Sequence, residues 1–261
     1  RRLDADDVVP LLADSVDAVG AVLPSLTPAD LGRSSVLPGW SVRDLVAHLV
    51  VVADSVRHLE ALPAHAGVLS LSEYLAGYAA RAERITGLTH DAAAELPDLP
   101  AASDERWDDA LSRLRSLQGT DKVLARRGAA RLGDFAATRV IEMVVHADDL
   151  ARSLDDGVAE GRAVAPLPHA APRLVARVLL DVLATRHPGQ AVEVRVPLVA
   201  AVQCLPGPRH TRGTPGNVVE CDQQTWTRLA TGRLTWDDAV HGGQVTASGQ
   251  RADLSGALPL L

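Results

Sequence analysis

Glu142 and His146 lie four residues apart in the run Val140-Ile141-Glu142-Met143-Val144-Val145-His146, where every other residue is apolar. On a helix that spacing sends both side chains from one face, one turn apart, so a carboxylate and an imidazole can converge on a single ion. A carboxylate in such surroundings carries a large desolvation cost unless it has a partner. A third candidate, His48, stands between Leu45 and Leu49 in a separate apolar run, and could reach the same ion across a helical core. Imidazole and carboxylate donors suit zinc, and three protein ligands with one position left over is the pattern of catalytic rather than structural zinc. Each residue also has a plainer reading: His48 as a packed core histidine, Glu142 as the partner of His146 or Arg139. Asp44, Asp148 and Asp149 are candidates to orient a ligating imidazole, or else exposed helix carboxylates.

Other reactive residues carry less. Between Pro206 and Gly216, a loop rich in proline and glycine holds Arg209, His210 and Arg212. Arg209 and Arg212 could present cations to an anionic ligand or cofactor; a solvated surface loop is the alternative. Cys204 and Cys221 are the only cysteines, too few for a disulfide framework and not in a metal-binding spacing, which fits two buried thiols in a reducing compartment. The sequence contains no nucleophile elbow, Walker loop or dinucleotide fingerprint.

The segments that must carry these side chains read mainly as helices. Leu11, Val16, Val19 and Val22 recur at helical spacing after an acidic first turn at Asp4, Asp6 and Asp7, which complements the helix dipole. Thr27-Pro28 offers an N-cap followed by proline at the first helical position. Ser41 with Asp44 three residues on is an acidic capping box, and predicts a helix running through Leu45, Leu49, Val52, Val56 and Leu59 until Pro63. Further helices are expected over Leu71 to Ile85, over Asp104 to Leu117, and from Asp134 to about Asp156. Without strand-like alternation between them, these segments read as an up-and-down bundle.

Composition changes after Leu154: the stretch from Asp155 through Pro168 is small, polar and punctuated by proline, like an interdomain linker. A helix is expected from Ala171 to Arg186. Period-two alternation at Val192 to Val196, an apolar run from Ala200 to Leu205, and short runs at Val218 to Cys221 and Gln244 to Ser248 then predict strands. Trp226, Leu229 and Ala230 have helical spacing within Asp222 to Asp238. The chain of 261 residues is therefore expected to be α+β, with a helical unit over 1–156 and a smaller α/β unit over 157–261. No repeat of solenoid type is present.

Bulk properties exclude some partners. Formal net charge is −7 with the basic residues scattered, which is not the footprint of a nucleic-acid binder. Charged residues interrupt the apolar stretches before the roughly 20 residues a membrane-spanning helix needs, and no export signal begins the sequence. The expectation is a cytoplasmic protein without a membrane span. Nothing in the sequence bears on oligomeric state.

The strings Gly39-Trp40-Ser41-Val42-Arg43-Asp44-Leu45-Val46-Ala47-His48-Leu49 and Thr138-Arg139-Val140-Ile141-Glu142-Met143-Val144-Val145-His146-Ala147-Asp148-Asp149-Leu150 resemble the N-terminal domain of mycothiol-dependent maleylpyruvate isomerases, in the DinB-like four-helix superfamily. That resemblance implies a four-helix bundle in which His48, Glu142 and His146 bind zinc. The segment Trp226 to Gly232, with Leu234-Thr235-Trp236 and Ala247-Ser248-Gly249, looks like a sterol-carrier-like domain. The isomerase also draws on an arginine of its second domain; Arg209, Arg212, Arg228 and Arg233 could each fill that place, and no motif selects among them. The implied activity is zinc-dependent use of a small thiol, mycothiol by resemblance, as nucleophile toward a small electrophile, giving S-transfer or cis-trans isomerisation. The rival expectation is a non-catalytic carrier of a lipid or small molecule with a structural metal site.

Overall fold

The computed structural model describes residues 2–155, 166–207 and 216–261, and the chain divides into two units, Arg1–Ala171 and Pro172–Leu261. In the first, four long helices pack together: α1 (Ala5–Gly20), α3 (Val42–Arg57), α6 (Leu99–Ser116) and α7 (Leu132–Leu154), with the short α2 (Pro28–Leu31) leading into α3 and α5 (Ala82–Glu95) laid against it. The buried side chains follow the apolar periodicity: Val8, Leu12, Val16 and Val19 on α1, and Leu45, Leu49, Val52 and Val56 on α3. With the turn that follows α1, Ala5–Ser25 is one stretch long and apolar enough, by length and composition, to cross a bilayer. Its apolar face packs on α7, while Asp14 and Asp17 lie exposed on the opposite side, the pattern of an amphipathic helix.

Capping sets the register of the helix that carries His48. Ser41 Oγ accepts from Asp44 N, while Asp44 Oδ2 accepts from both Ser41 N and Ser41 Oγ, a closed reciprocal cap. The chain enters this cap through Gly39 at φ +79, a left-handed turn that a side chain would strain. The helix ends at Arg57, earlier than the Pro63 expected, because the chain then joins a sheet. Strand β1 (Glu60–Leu62) pairs antiparallel with β2 (Lys122–Ala125), which pairs with β3 (Gly128–Arg131). This three-stranded sheet contradicts the expectation of a strand-free first half: its strands are three or four residues long, and β1 is too distant in sequence from its partner to leave a hairpin signal. The single helix expected over Leu71 to Ile85 is also divided, into α4 (Leu71–Ala76), which ends at Gly77, and α5.

In the second unit, α8 (Ala170–Arg186) is followed by a four-stranded sheet in the order β5-β4-β6-β7, made of β4 (Val192–Val196), β5 (Ala200–Cys204), β6 (Val218–Cys221) and β7 (Val245–Ser248). The pair β4–β6 is parallel and the others are antiparallel. Between β6 and β7 lie α9 (Gln223–Ala230) and α10 (Trp236–His241), separated at Gly232, where the spacing predicts one helical segment. Trp226 is fully buried and donates its indole N–H to Ala176 O on α8 at 3.0 Å, which joins α9 to α8. The fold is α+β, as expected.

Candidate metal centre

Helix α7 brings Glu142 and His146 to one face, and α3 supplies His48 from the opposite side of the core. All three are buried, at 9%, 5% and 6% exposure. Glu142 Oε2 lies 3.4 Å from His48 Nε2 and 3.3 Å from His146 Nε2. The two imidazole rings meet edge to face, with centroids 4.6 Å apart. Among the described residues these three form the group whose ligand atoms, within 4.8 Å of one another, could hold a metal ion. Zinc bonds of about 2.0–2.2 Å at tetrahedral angles would separate neighbouring donor atoms by roughly 3.3–3.6 Å, so the spacing and the donor chemistry both fit a small divalent cation.

Behind each ring a polar group stands beside the other nitrogen. His48 Nδ1 is 3.3 Å from Thr89 Oγ1 on α5, and α5 is itself pinned by Arg43, which donates to Ala93 O and Leu96 O at the end of that helix. His146 Nδ1 is 3.0 Å from Asp149 Oδ2, an ion-pair contact set off the ring's N–H axis. In both rings Nε2 is left facing Glu142, as a ligating imidazole requires. Of the three carboxylates considered as orienting groups, Asp149 is the one in contact. Asp148 is partly exposed toward Arg152, and Asp44 is used in the cap of α3.

Arg139 holds the second carboxylate oxygen. It is 2% exposed and donates to Ser55 Oγ at 2.7 Å, Tyr78 Oη at 2.6 Å and Thr138 Oγ1 at 3.2 Å, while its Nη2 lies 3.6 Å from Glu142 Oε1. The plainer pairing of Glu142 with Arg139 and His146 is thus present together with the three-residue convergence. Burial alone would raise the Glu142 carboxyl, but the two imidazoles and the Arg139 guanidinium outweigh it and hold it well below the ordinary 4.5. The imidazoles diverge. Burial, with His146 nearby, lowers His48 despite Glu142; burial would lower His146 too, but Asp149 and Glu142 raise it above the ordinary 6.5.

Trp40 presents an edge-to-face contact to His48 at 5.4 Å and lies 6.2 Å from the His90 ring. A cavity of about 740 Å³ lined by Val16, Leu23, Leu49, Trp107, Leu111 and Met143 contains none of the three candidate ligands, so the cavity and the polar cluster are separate features. Thr89, Tyr78 and Ser55 leave no signal in the sequence, because ordinary helix and turn residues become site residues only through packing. Arg209 and Arg212 lie outside the described residues.

The mycothiol maleylpyruvate isomerase N-terminal domain family matches residues 12–151, and the bacterial SCP ortholog family matches residues 169–260. No curated protein matches. Among solved structures, the mycothiol-dependent maleylpyruvate isomerase superposes with a TM-score of 0.61 at 17% identity, covering 94% of this chain and 93% of that one. A histidine-to-alanine mutant of the same enzyme superposes at 0.60, with the same identity and coverage. At that identity the likeness is one of fold, over almost the full length of both chains. With more than half of its length matched by the family model, the chain belongs to the mycothiol maleylpyruvate isomerase N-terminal domain family and carries an SCP-like domain after it.

Proposed function

We propose that this protein is a zinc-dependent enzyme that joins a low-molecular-weight thiol, mycothiol by family, to a small electrophile. The observation that carries the reading is the meeting of two imidazole Nε2 atoms on one buried carboxylate oxygen, each ring backed by a polar group at Nδ1. His48, Glu142 and His146 would hold the ion. When bound, it would supply a position for a thiol sulfur and stabilise the thiolate near neutral pH.

The chain's own residues do the rest. Asp149 and Thr89 hold the two imidazoles so that Nε2 is the free donor. Arg139 takes one Glu142 oxygen and leaves the other to the site. Trp40 shields the His48 ring from water along one edge. Addition of the thiolate to an electrophilic carbon, with the thiol's proton passing to the opened double bond or epoxide oxygen or with halide expelled from an alkyl halide, followed by release of the thioether, is S-transfer; addition to a double bond, rotation about the resulting single bond and loss of the thiolate is isomerisation. The metal-binding bundle is assigned to 1–156 and the sterol-carrier-like unit to 157–261, with the protein acting in the cytoplasm. Arg209 and Arg212 keep their candidacy as cations of the second unit.

The match of the second unit to the SCP ortholog family supports a rival reading, a carrier whose metal is structural. Metal analysis of protein purified without added zinc, then a screen of mycothiol, glutathione and cysteine against unsaturated acids, epoxides and alkyl halides, separates the two. The enzyme reading expects about one equivalent of zinc and turnover that chelation removes. Equal rates with zinc-loaded and chelated protein for every thiol would leave the carrier.

A further inference from the structure

The cavity of about 740 Å³ in the first unit takes no part in the chemistry proposed above. Its lining includes Leu49 and Met143, one residue on from His48 and Glu142 and so about 100° round each helix from them. Its volume falls within the roughly 300–1,000 Å³ of small-molecule sites. Most of the wall is apolar, but Ser103 and Trp107 interrupt it from one face of α6, four residues apart and 3% and 4% exposed. A serine inside a helix can return its proton to the carbonyl one turn back, as Ser15 and Ser153 do, and the buried Trp226 donates to Ala176 O. The Ser103 hydroxyl and the Trp107 indole N–H have no such partner among the described residues. Buried polar groups left unpaired cost stability, and a molecule seated in the cavity could meet them.

The rim of the cavity carries one sign of charge. Asp17 on α1 and Asp98, Asp104 and Asp108 on the side of α6 are all exposed, and no lysine, arginine or histidine lines the cavity. Asp98 gives one oxygen to Ala101 N as the cap of α6. Asp17, Asp104 and Asp108 have no ion-pair partner among the described residues. The N-terminus of α6 contributes about half a positive charge, which four carboxylates outweigh. Apolar walls beneath like charges focus their field in the opening, so the entry attracts cations and repels anions. The lining therefore matches a molecule with an apolar body, a cationic nitrogen for the rim, and an oxygen that accepts from Ser103 or Trp107.

We propose that this cavity binds a small apolar amine carrying a hydrogen-bond acceptor, at a site separate from the candidate metal centre. Calorimetric titration of the full chain, zinc-loaded and chelated, uses 3-phenoxypropylamine as probe. The charge control is 3-phenoxypropanol, and the acceptor control is 4-phenylbutylamine, in which a methylene replaces the ether oxygen. The probe should bind alike in both metal states and about tenfold more tightly than the alcohol, an advantage that added salt reduces. It should bind about threefold or more tightly than the methylene analogue, and that preference should disappear in Ser103→Ala or in Trp107→Phe. Joint Asp17→Asn, Asp104→Asn and Asp108→Asn should weaken the amine about tenfold and leave the alcohol as it was. Gly20 also lines the cavity, and a Cβ there meets no atom within 4 Å. Gly20→Leu should thus fold, and should weaken amine and alcohol together.

Absence of amine binding, an alcohol that binds as tightly, or an unchanged affinity in the triple aspartate variant would overturn the proposal. Binding confined to zinc-loaded protein would also overturn it, by placing the amine on the metal. Equal affinities for the ether and methylene compounds would remove the acceptor from it. Because the aspartates are exposed and Gly20 has room, misfolding of Trp107→Phe does not remove the test. No thiol reaction enters any of these measurements, so their failure and that of the thiol reading are distinct.

Discussion

Asp149 and Thr89 make the two candidate ligand imidazoles unequal: a buried carboxylate stands behind His146 and a neutral hydroxyl behind His48. In metal-free protein, His146 should therefore titrate above 6.5 and His48 below it, resolved by the ring-proton resonances. Asp149→Asn should bring the His146 curve down, leave that of His48 nearly in place, and weaken zinc about 10–100-fold. An unmoved His146 curve would mean that Asp149 does not govern that ring. Glu142 gives the opposite pH limb. Its carboxyl is held below the ordinary 4.5 in the fold, so its share of stability is present above 4.5 and is lost as pH falls through the depressed value. In metal-free Glu142→Gln the melting temperature should fall less steeply on acidification than in wild type; parallel curves would refute the assignment. Spacing in the amino-acid sequence offers Glu142, His146 and His48 as candidates, each beside a plainer reading, and the family resemblance is what joins the three. Spacing leaves Asp149 as one carboxylate among three, and it gives nothing for Thr89 or Tyr78, whose positions depend on how α5 and the segment that precedes it pack.

Helix α3 is readable from Ser41 and Asp44 because a cap is a local pattern, and both reciprocal bonds form. Ser41→Ala should cost about 1 kcal/mol, read in a denaturant melt as a lower midpoint at unchanged slope. Strand β1 is hidden for the opposite reason: its pairing partner lies some sixty residues on, with Glu60 opposite Leu124, and no local pattern reports such a contact. The strands of the second unit are legible because Val192 to Val196 alternates with period two and buries Val192, Val194 and Val196. The same burial governs the cysteines. Desolvation pushes Cys204 up to about 11 and Cys221, which also faces Asp222 and Glu220, up to about 12. At pH 8 both thiols should react with a disulfide reagent at least about 100-fold more slowly in folded than in denatured protein. Rapid native labelling of either would place it outside the core. Since a folded value above the unfolded 9.0 means that stability is lost as pH rises through it, the second unit should also weaken between pH 9 and 12.

The two units differ in the period of their apolar residues, helical through α7 and two-fold in the strands after α8, and that difference makes the two-part α+β organisation visible in the sequence. Each unit buries its own core, so a ligand held only by α3 and α7 should stabilise one unit and leave the other as it was. Zinc binding to the native state alone adds RT ln(1 + [L]/Kd), about 2.7 kcal/mol at a hundredfold excess over Kd. For a unit of this size that corresponds to a rise in melting temperature of roughly 5–11 °C. Hydrogen exchange locates the effect. Adding zinc to chelated protein should slow exchange in peptides from Val42–Arg57 and Leu132–Leu154, the helices that carry His48, Glu142 and His146. Peptides from α8 and from strands β4 to β7 should exchange as before. His48→Ala should remove the protection in both helices at once, because an ion held by all three residues would bridge them, whereas loss of one helix's contacts alone would leave the other protected. Protection that spreads equally over the SCP-like unit would show that the metal acts on the whole chain, and protection absent from α3 would show that His48 is not a ligand.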